Sequence, residues 1–192
     1  RLSLLQRCIG YLEKQTEKSF DILVINNGCE DGTKEWLRSQ KELLHIDQYP
    51  NVGCAGGIYL GMEYAYNHKY EWMWLMDDDG IPDTNQLQNL LIGAKNLDAH
   101  YVNSLVCDID DKEHLSFGLI SNGKLITSRE EAQLEDTIPN AINPWNGTLI
   151  HRYVMEKIGL VKKEMMFWGE EEEYFFRARQ KGIIAYTVTN AI

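Results

Sequence analysis

The sequence lacks any hydrophobic run long enough to cross a membrane, and it lacks a recognisable signal peptide. We therefore expect a cytoplasmic protein. Peripheral association with the inner face of the membrane is compatible with this expectation. The chain of 192 residues starts at Arg1 rather than at a methionine, which is compatible with a start inside a longer protein.

Paired cysteines and spaced histidines are also missing. The four cysteines form no CxxC pair, so the sequence predicts reduced thiols rather than a disulfide framework or a zinc site. The five histidines show no metal-ligand spacing either, and we interpret them as surface or core residues. The cysteines are Cys8, Cys29, Cys54 and Cys107.

Positive charge is scarce, with 19 Lys and Arg against 29 Asp and Glu and a formal net charge of -10. This balance argues against a nucleic acid bound through a basic face. An anionic substrate remains possible, because a bound metal can supply local positive charge. With 44% hydrophobic and 25% charged residues, the chain suits one ordinary globular domain.

The first half of the chain alternates predicted strands with predicted helices, which is typical of a parallel sheet covered by helices. In such a sheet the strand-to-helix loops meet at the carboxyl edge, where ligands bind. We therefore expect the loops at 26–33 and 77–83 to converge on one crevice. Strands are predicted at 20–25, 43–48 and 72–76, and helices at 3–16, 34–40, 54–68 and 84–96.

The second half is predicted to be more irregular. A strand at 101–108 precedes a hairpin at 115–125 and a polar surface loop at 128–140. Residues 145–150 then re-enter the core. Helices at 152–158 and 170–180 are followed by a last strand at 183–188.

Three adjacent carboxylates, Asp77, Asp78 and Asp79, follow the apolar run at 72–76. They would repel one another unless a cation lies among them, and hard divalent cations take oxygen ligands. The pattern favours a metal site. A plain acidic loop closed by Gly80 and Pro82, before the next helix, is the alternative.

Four glutamates, at positions 170–173, begin a predicted helix. Acids in the first turn of a helix complement its dipole, and Glu173 could pair with Arg177 on the surface. However, the run follows the apolar residues 165–168, which indicates a buried or cleft-lining helix start. A carboxylate at the mouth of such a cleft has a raised pKa and can act as a base.

Three glycines, at 53, 56 and 57, precede or begin a predicted helix and could cradle phosphate there. Their spacing matches neither GxGxxG nor a P-loop, so close helix-to-strand packing is an equally open interpretation.

Five segments occur in one order along nearly the whole chain. Together they resemble the inverting glycosyltransferases of family 2, and most of all the branch with bacterial rhamnosyl- and galactofuranosyltransferases. The segments are Asn-Asn-Gly-Cys-Glu-Asp-Gly-Thr (26–33), Asn-Val-Gly-Cys-Ala-Gly-Gly (51–57), Trp-Met-Trp-Leu-Met-Asp-Asp-Asp (72–79), Trp-Asn-Gly-Thr (145–148) and Trp-Gly-Glu-Glu-Glu-Glu-Tyr-Phe-Phe-Arg-Ala-Arg (168–179).

The resemblance implies an α/β protein with the GT-A fold, a Rossmann-like mixed and mainly parallel sheet flanked by helices. It implies one domain over 1–192, with a nucleotide-sugar-binding half at 1–96 and an acceptor-binding half at 97–192. It also implies transfer of a sugar from a UDP- or dTDP-linked donor to a glycan or lipid-linked acceptor, in bacterial surface polysaccharide synthesis, with Mn2+ or Mg2+ as cofactor.

Residue roles follow from the same resemblance. Asn26 and Asp31 match the nucleotide-base loop, and Asn51, Gly53 and Gly57 match the segment under the ribose and diphosphate. Asp77 and Asp79 match the metal-holding acids of the DxD motif, and Asp77 and Asp78 are also placed beside the nucleotide sugar. Trp145, Asn146, Gly147 and Glu173 match acceptor contacts, and Glu171 matches the catalytic base.

The sequence departs from the family pattern at three places. The family has a central strand that would precede Arg1. Its base is commonly Asp, so the choice between Glu170 and Glu171 stays open. Many relatives have a His metal ligand after the acidic helix, whereas no His follows His151.

Three other interpretations fit parts of the sequence. Residues 76–80 are similar to the strand-end DxDG of haloacid dehalogenase phosphatases, although that family has the motif on its first strand. An EF-hand fits less well, because the glycine lies at the wrong offset from Asp77. A non-catalytic nucleotide-sugar-binding fragment is the third.

Overall fold

The computed structural model describes residues 1–143 and 145–192, and helices alternate with strands from α1 to β4. The helices are α1 (Leu2–Leu12), α2 (Thr33–Ser39), α3 (Gly53–Asn67), α4 (Gln86–Leu97), α5 (Arg129–Ala132), α6 (Arg152–Ile158) and α7 (Glu170–Gln180), with a 3-10 turn at Lys163–Met165. The strands are β1 (Leu23–Asn27), β2 (Leu44–Gln48), β3 (Trp72–Leu75), β4 (Tyr101–Ser104), β5 (His114–Ser121), β6 (Lys124–Ser128), β7 (Thr137–Pro139), β8 (Thr148–His151) and β9 (Tyr186–Val188).

The strands form a mixed sheet rather than the all-parallel one that the first half of the sequence predicts. Five strands lie in the order β3-β8-β4-β9-β7, in which β3, β4 and β9 point one way and β8 and β7 the other. Strands β1 and β2 form a separate parallel pair, and within residues 1–143 and 145–192 neither pairs with β3. The second half of the chain therefore supplies the neighbour of β3.

Both faces of the five-stranded sheet are covered. On β4, Tyr101 packs in a cluster with Met62 and Tyr174, whereas Val102 packs in a second cluster with Leu90 of α4. Because successive strand residues point to opposite faces, this alternation gives one layer of α3, α6 and α7 and another of α4.

Helix α1 is amphipathic, and its Leu5 and Ile9 pack with Leu37 of α2 beneath the β1–β2 pair. Its Cys8 thiol lies 3.6 Å from the Asp77 carbonyl oxygen, to which it donates. The helix therefore links the β1–β2 pair to the carboxyl end of β3.

The hairpin is confirmed, since β5 and β6 pair antiparallel with Ser121 opposite Lys124. The surface loop predicted for 128–140 is wrong, because α5 and β7 lie within it and Ile138 is buried. Most other predicted elements shift by one to three residues at their ends, as hydrogen bonding rather than pattern decides where a helix or strand stops.

We predict that Leu90→Ala, on the buried face of α4, lowers the free energy of unfolding by about 2–5 kcal/mol, because it leaves a cavity against the sheet. Denaturant unfolding of the two proteins measures the difference. Ile92→Ala is the matched control, because Ile92 lies exposed on the same helix and its truncation is expected to cost about 0.5 kcal/mol or less. Equal losses in the two variants would contradict the assignment of α4 as a core layer.

Candidate active site

Strand β3 carries the acidic triplet to the carboxyl edge of the sheet, where the turn at 145–147 holds it. The Gly147 amide donates to the Leu75 carbonyl (2.9 Å), and the Ser104 amide donates to the Gly147 carbonyl (3.0 Å). Gly147 has φ 75°, and a Cβ there would overlap Ser104. Only glycine fits this position between β3 and β4.

Asn146 and Asp77 form a reciprocal pair. The Asn146 amide nitrogen donates to Asp77 Oδ2 (3.0 Å), and the Asp77 backbone amide donates to Asn146 Oδ1 (3.3 Å). The structure therefore brings together a residue predicted for the metal and one predicted for the acceptor loop.

The other two aspartates lie beside Arg1. The Arg1 guanidinium donates to both oxygens of Asp78, with 2.6 Å from Nε to Oδ2, and lies 3.7 Å from Asp79 Oδ2. Asp31 accepts from the Leu2 amide (2.9 Å), so the start of α1 contacts both the 26–33 loop and the acidic turn. This geometry confirms the expected convergence of the two loops.

Asp77 carries negative charge that its surroundings do not neutralise. Burial raises the pKa of Asp77 above its ordinary value, and the charges of Asp79 and Glu170 add to this, whereas the hydrogen bond from Asn146 opposes it. A group of three carboxylate, His or Cys side chains arranged for a metal is not found in the described part of the chain. Asp77 and Asp79 are two carboxylates of like charge on one turn, and the charge of Asp79 disfavours ionisation of Asp77.

Helix α7 begins at Glu170, and the residue before it, Gly169, has a φ of 87° that turns the chain into the run of glutamates. Glu170 is only 2% exposed, and its Oε2 has no hydrogen-bond partner among the described residues. Glu171 is half-buried, and burial followed by its neighbours Glu170 and Glu172 raises its pKa. Of the two candidates for the base, Glu171 has the access to solvent that an acceptor hydroxyl would need.

Cys54, in the first turn of α3, lies among these acids. Burial, a hydrogen bond to Glu170 and the charges of Glu170, Asp77 and Glu171 together raise the pKa of the Cys54 thiol. Carboxylates from the end of β3 and from the start of α7 therefore both act on the first turn of α3. The sequence pattern did not predict that Cys54 lies near these acids. The one sign of it was the position of Cys54 inside the glycine-containing segment 51–57.

Two residues that were predicted to contact the acceptor sugar are instead engaged in contacts within the protein. Trp145 is 3% exposed and packs in the core, with its ring 6.0 Å from that of Tyr174. Glu173 pairs with Arg177 (2.7 Å) and Lys162 (2.7 Å), as the spacing to Arg177 predicted. Although burial acts to raise the pKa of Glu173, hydrogen bonds from Lys162 and Arg177 outweigh it and hold that pKa low.

The predicted nucleotide-base residues are also tied into the protein. Asn26 is buried, donates to Asp47 Oδ1 (2.8 Å) and accepts from the Cys29 amide (3.3 Å). Asp31 is exposed and accepts from both the amide and the hydroxyl of Thr33 at the start of α2. These contacts fix the conformation of the 26–33 loop.

Three hydrogen bonds hold the start of α3. They occupy backbone amides that could otherwise donate to a phosphate. The Val52 amide donates to Asn27 Oδ1 (2.9 Å), the Gly53 amide to Asn51 Oδ1 (2.8 Å) and the Ala55 amide to the Met166 carbonyl (3.1 Å). The structure thus supports packing as the reason for Gly53, since a Cβ there would overlap the Met166 backbone.

Gly57 is less constrained. A Cβ at this position would make only ordinary contacts, with Asn27 Nδ2 at 3.6 Å as the nearest atom. Asn27, which also donates to the Gly53 carbonyl (2.8 Å), was missed at the level of sequence, and the Asn26-Asn27 doublet was its signal.

Residues 1–159 match the family model described as "Glycosyl transferase family 2". The chain belongs to this family. The family 2 assignment removes the phosphatase and EF-hand interpretations of the acidic triplet.

Curated relatives of this family 2 chain include the galactofuranosyltransferase GlfT1 of Mycobacterium tuberculosis, which is 29% identical over 93% of the chain and 61% of the relative. The GlfT1 protein of Mycolicibacterium smegmatis is 28% identical over 95% of the chain and 63% of the relative. The family 2 chain therefore spans about three fifths of the length of these relatives.

Solved structures establish the fold. S. aureus TarS 1–349 in complex with UDP superposes on 97% of the family 2 chain with a TM-score of 0.66 and 11% identity, over 54% of its own length. GalNAc-T7 with UDP, GalNAc and Mn2+ superposes on 98% of the chain with a TM-score of 0.70 and 14% identity, over 40% of its length. The mixed α/β architecture is that of the GT-A glycosyltransferases.

A search of the described helices finds none that is both long and apolar enough to cross a membrane.

We predict that Asp77→Asn raises the thermal midpoint in EDTA at pH 7.5. The raised pKa means that the ionised form is disfavoured in the folded state. The resulting penalty is absent below the ordinary value of 3.8 and complete above the raised pKa. Relief of about 1 kcal/mol would raise the midpoint by about 2–4 °C, and the gain should shrink as the pH falls toward 3.8.

Differential scanning calorimetry checks this, with Asp110→Asn as the control because Asp110 is an exposed acid far from the triplet in sequence. A lower midpoint for Asp77→Asn than for the unmodified chain would show that the Asn146 pair outweighs the repulsion.

Proposed function

We propose that this chain transfers a sugar from a nucleoside-diphosphate sugar to a hydroxyl of a glycan or lipid-linked acceptor, with inversion and with a divalent metal. The observation that carries the proposal is that acids from two elements lie near the first turn of α3. The turn before α7 is hydrogen bonded to α3, from the Ala55 amide to the Met166 carbonyl (3.1 Å). In agreement with this, Asp77, Glu170 and Glu171 all act on the pKa of Cys54. Acids from two elements at one sheet edge provide both a metal-binding side and a base side.

The donor side is assigned to Asp77 and Asp79. Two carboxylates suit Mn2+ or Mg2+, which commonly takes one or two protein carboxylates and completes its shell with substrate phosphates and water. When bound, the metal would neutralise charge on the departing diphosphate. Asn146 positions Asp77 through their paired hydrogen bonds, and Arg1 neutralises Asp78 so that it does not add to the repulsion.

The acceptor side is assigned to Glu171. Its carboxylate takes the proton from the acceptor hydroxyl as the new bond forms between that oxygen and the anomeric carbon. The bond from the anomeric carbon to the diphosphate oxygen breaks on the opposite side, and the nucleoside diphosphate leaves. Burial and the neighbouring acids raise the pKa of Glu171, which strengthens it as a base.

Donor identity is inferred from relatives. UDP is present in the TarS and GalNAc-T7 structures, and the curated relatives are galactofuranosyltransferases. We therefore favour a UDP-linked donor over a dTDP-linked one, and a galactofuranosyl or rhamnosyl sugar. The division into a donor half at 1–96 and an acceptor half at 97–192, a role in surface polysaccharide synthesis and a cytoplasmic location at the membrane stay predictions.

We expect UDP to bind with Mn2+ or Mg2+ and to bind much more weakly in EDTA, because the diphosphate would otherwise meet the negative charges of Asp77 and Asp79. Isothermal titration calorimetry with UDP and with dTDP, each with and without metal, measures this. Asp79→Asn should reduce the gain in UDP affinity that the metal provides, while Asp110→Asn should leave that gain unchanged. Equal affinity in EDTA would remove the metal from the proposal.

We expect Glu171→Gln to lower the transfer rate by at least about 100-fold while the affinity for UDP is unchanged, since a general base contributes about 10²–10⁴. Turnover with UDP-galactofuranose and dTDP-rhamnose measures it. Glu172→Gln is the control, because Glu172 lies exposed on the same turn.

Loss of transfer in Glu170→Gln together with retention in Glu171→Gln would reassign the base to Glu170. Binding of UDP by a chain that neither transfers nor hydrolyses any donor would instead favour the non-catalytic binding fragment.

A further inference from the structure

Three consecutive apolar side chains stand in solvent directly before α7. Met166 and Phe167 are each more than half exposed, and Trp168 is 89% exposed. The other four tryptophans, Trp36, Trp72, Trp74 and Trp145, are buried or half-buried. An exposed indole does not gain the favourable free energy that burial of its large apolar surface would give. Exposed aromatic patches of this kind commonly mark contact sites.

The backbone holds this turn in a defined and costly conformation. Met166 and Trp168 have φ of 58° and 72°, in the left-handed region that non-glycine residues avoid at a cost of about 1–2 kcal/mol each. The Ala55 amide donates to the Met166 carbonyl (3.1 Å), and the Phe167 amide donates to the Met165 carbonyl (2.7 Å). The hydrogen bond from Ala55 attaches the turn to α3, which limits the movement of the backbone next to Trp168.

Charge around the turn restricts what can bind there. Glu164, Glu171 and Glu172 are carboxylates close by in sequence, whereas the nearby cations are engaged, Lys162 with Glu173 (2.7 Å) and Lys163 over the Tyr59 ring (4.7 Å). An acidic surface is repelled by anionic lipid headgroups. Carboxylates do accept hydrogen bonds from hydroxyl groups.

An uncharged sugar ring matches this combination. One face of the ring is lined by C–H groups and can lie on an indole, while its hydroxyl edge reaches carboxylates. Trp168 precedes the candidate base Glu171 by three residues, on the turn that leads into the first turn of α7. The aromatic predicted for the acceptor, Trp145, is instead packed in the core.

We propose that Trp168 is a specificity-determining residue that stacks on a neutral sugar ring of the acceptor and so orients the reacting hydroxyl toward Glu171. This inference rests on the proposed function and names the recognised part of the acceptor as its glycan rather than its lipid.

Kinetics with two acceptors test the inference. Both carry the same galactofuranose–rhamnose disaccharide, one as a methyl glycoside and the other as an octyl glycoside, with UDP-galactofuranose as donor. Trp168→Ala should raise the acceptor KM about tenfold for both, which corresponds to about 1.4 kcal/mol. The donor KM should stay unchanged, and Trp168→Phe should recover most of the loss.

Phe176→Ala is the matched control, because Phe176 is an exposed aromatic on α7. Its acceptor KM should stay within about twofold of the unmodified chain, well inside the tenfold change expected at Trp168. A rise confined to the octyl glycoside would overturn the proposal in favour of a lipid contact, and an unchanged KM for both would overturn it outright.

Binding gives a second readout that does not need turnover. Indole N–H signals in 15N-labelled protein are assigned with Trp168→Phe and followed while the methyl disaccharide is added in the presence of UDP. Movement of the Trp168 signal supports the proposal. No movement, or movement only with phosphatidylglycerol or phosphatidylcholine vesicles, overturns it. Absence of transfer by the unmodified chain would count against the proposed function, whereas the indole signal still decides the role of Trp168.

Discussion

Repulsion among carboxylates partly removed from water is the constraint around which this site is built. Burial raises the free-energy cost of ionising Asp77. The negative charges of Asp79 on the same turn and of Glu170 on α7 raise that cost further. Such a cluster persists only where neighbouring groups compensate it. Asn146 does so with the hydrogen bond that its side-chain amide donates to the Asp77 carboxylate, and Arg1 does so with its guanidinium, which lies against Asp78.

The same cluster depends on contacts between distant parts of the chain. Strand β3 is held by β8, which comes more than 70 residues later, and the turn at 145–147 is hydrogen bonded to both β3 and β4. The turn before α7 is attached to the start of α3 through Met166 and Ala55. Elements from residues 1–96 and from residues 97–192 therefore interleave in the fold.

Several site residues could be predicted from sequence, and several could not, for a physical reason. The acids at 77–79 and 170–173 follow apolar runs, so their position at the ends of buried elements is readable from local pattern. Trp145 lies two residues before Gly147 and Trp168 directly before Gly169, yet Trp145 is in the core and Trp168 is solvent-exposed. Which aromatic is free depends on how α7 packs against the sheet, and no local pattern contains that information.

The sequence by itself determined the α/β class and the acidic character of the site, because strand-to-helix alternation and carboxylates after apolar runs are local properties. The resemblance to the family came from five segments in one order along the chain. The tertiary structure decided the rest. It paired β3 with β8 rather than with its predecessors, engaged Glu173 with Lys162 and Arg177, and filled the space over Gly53 with the Met166 backbone. These outcomes depend on contacts between residues far apart in the chain, whose strength comes from burial and geometry that only the folded molecule creates.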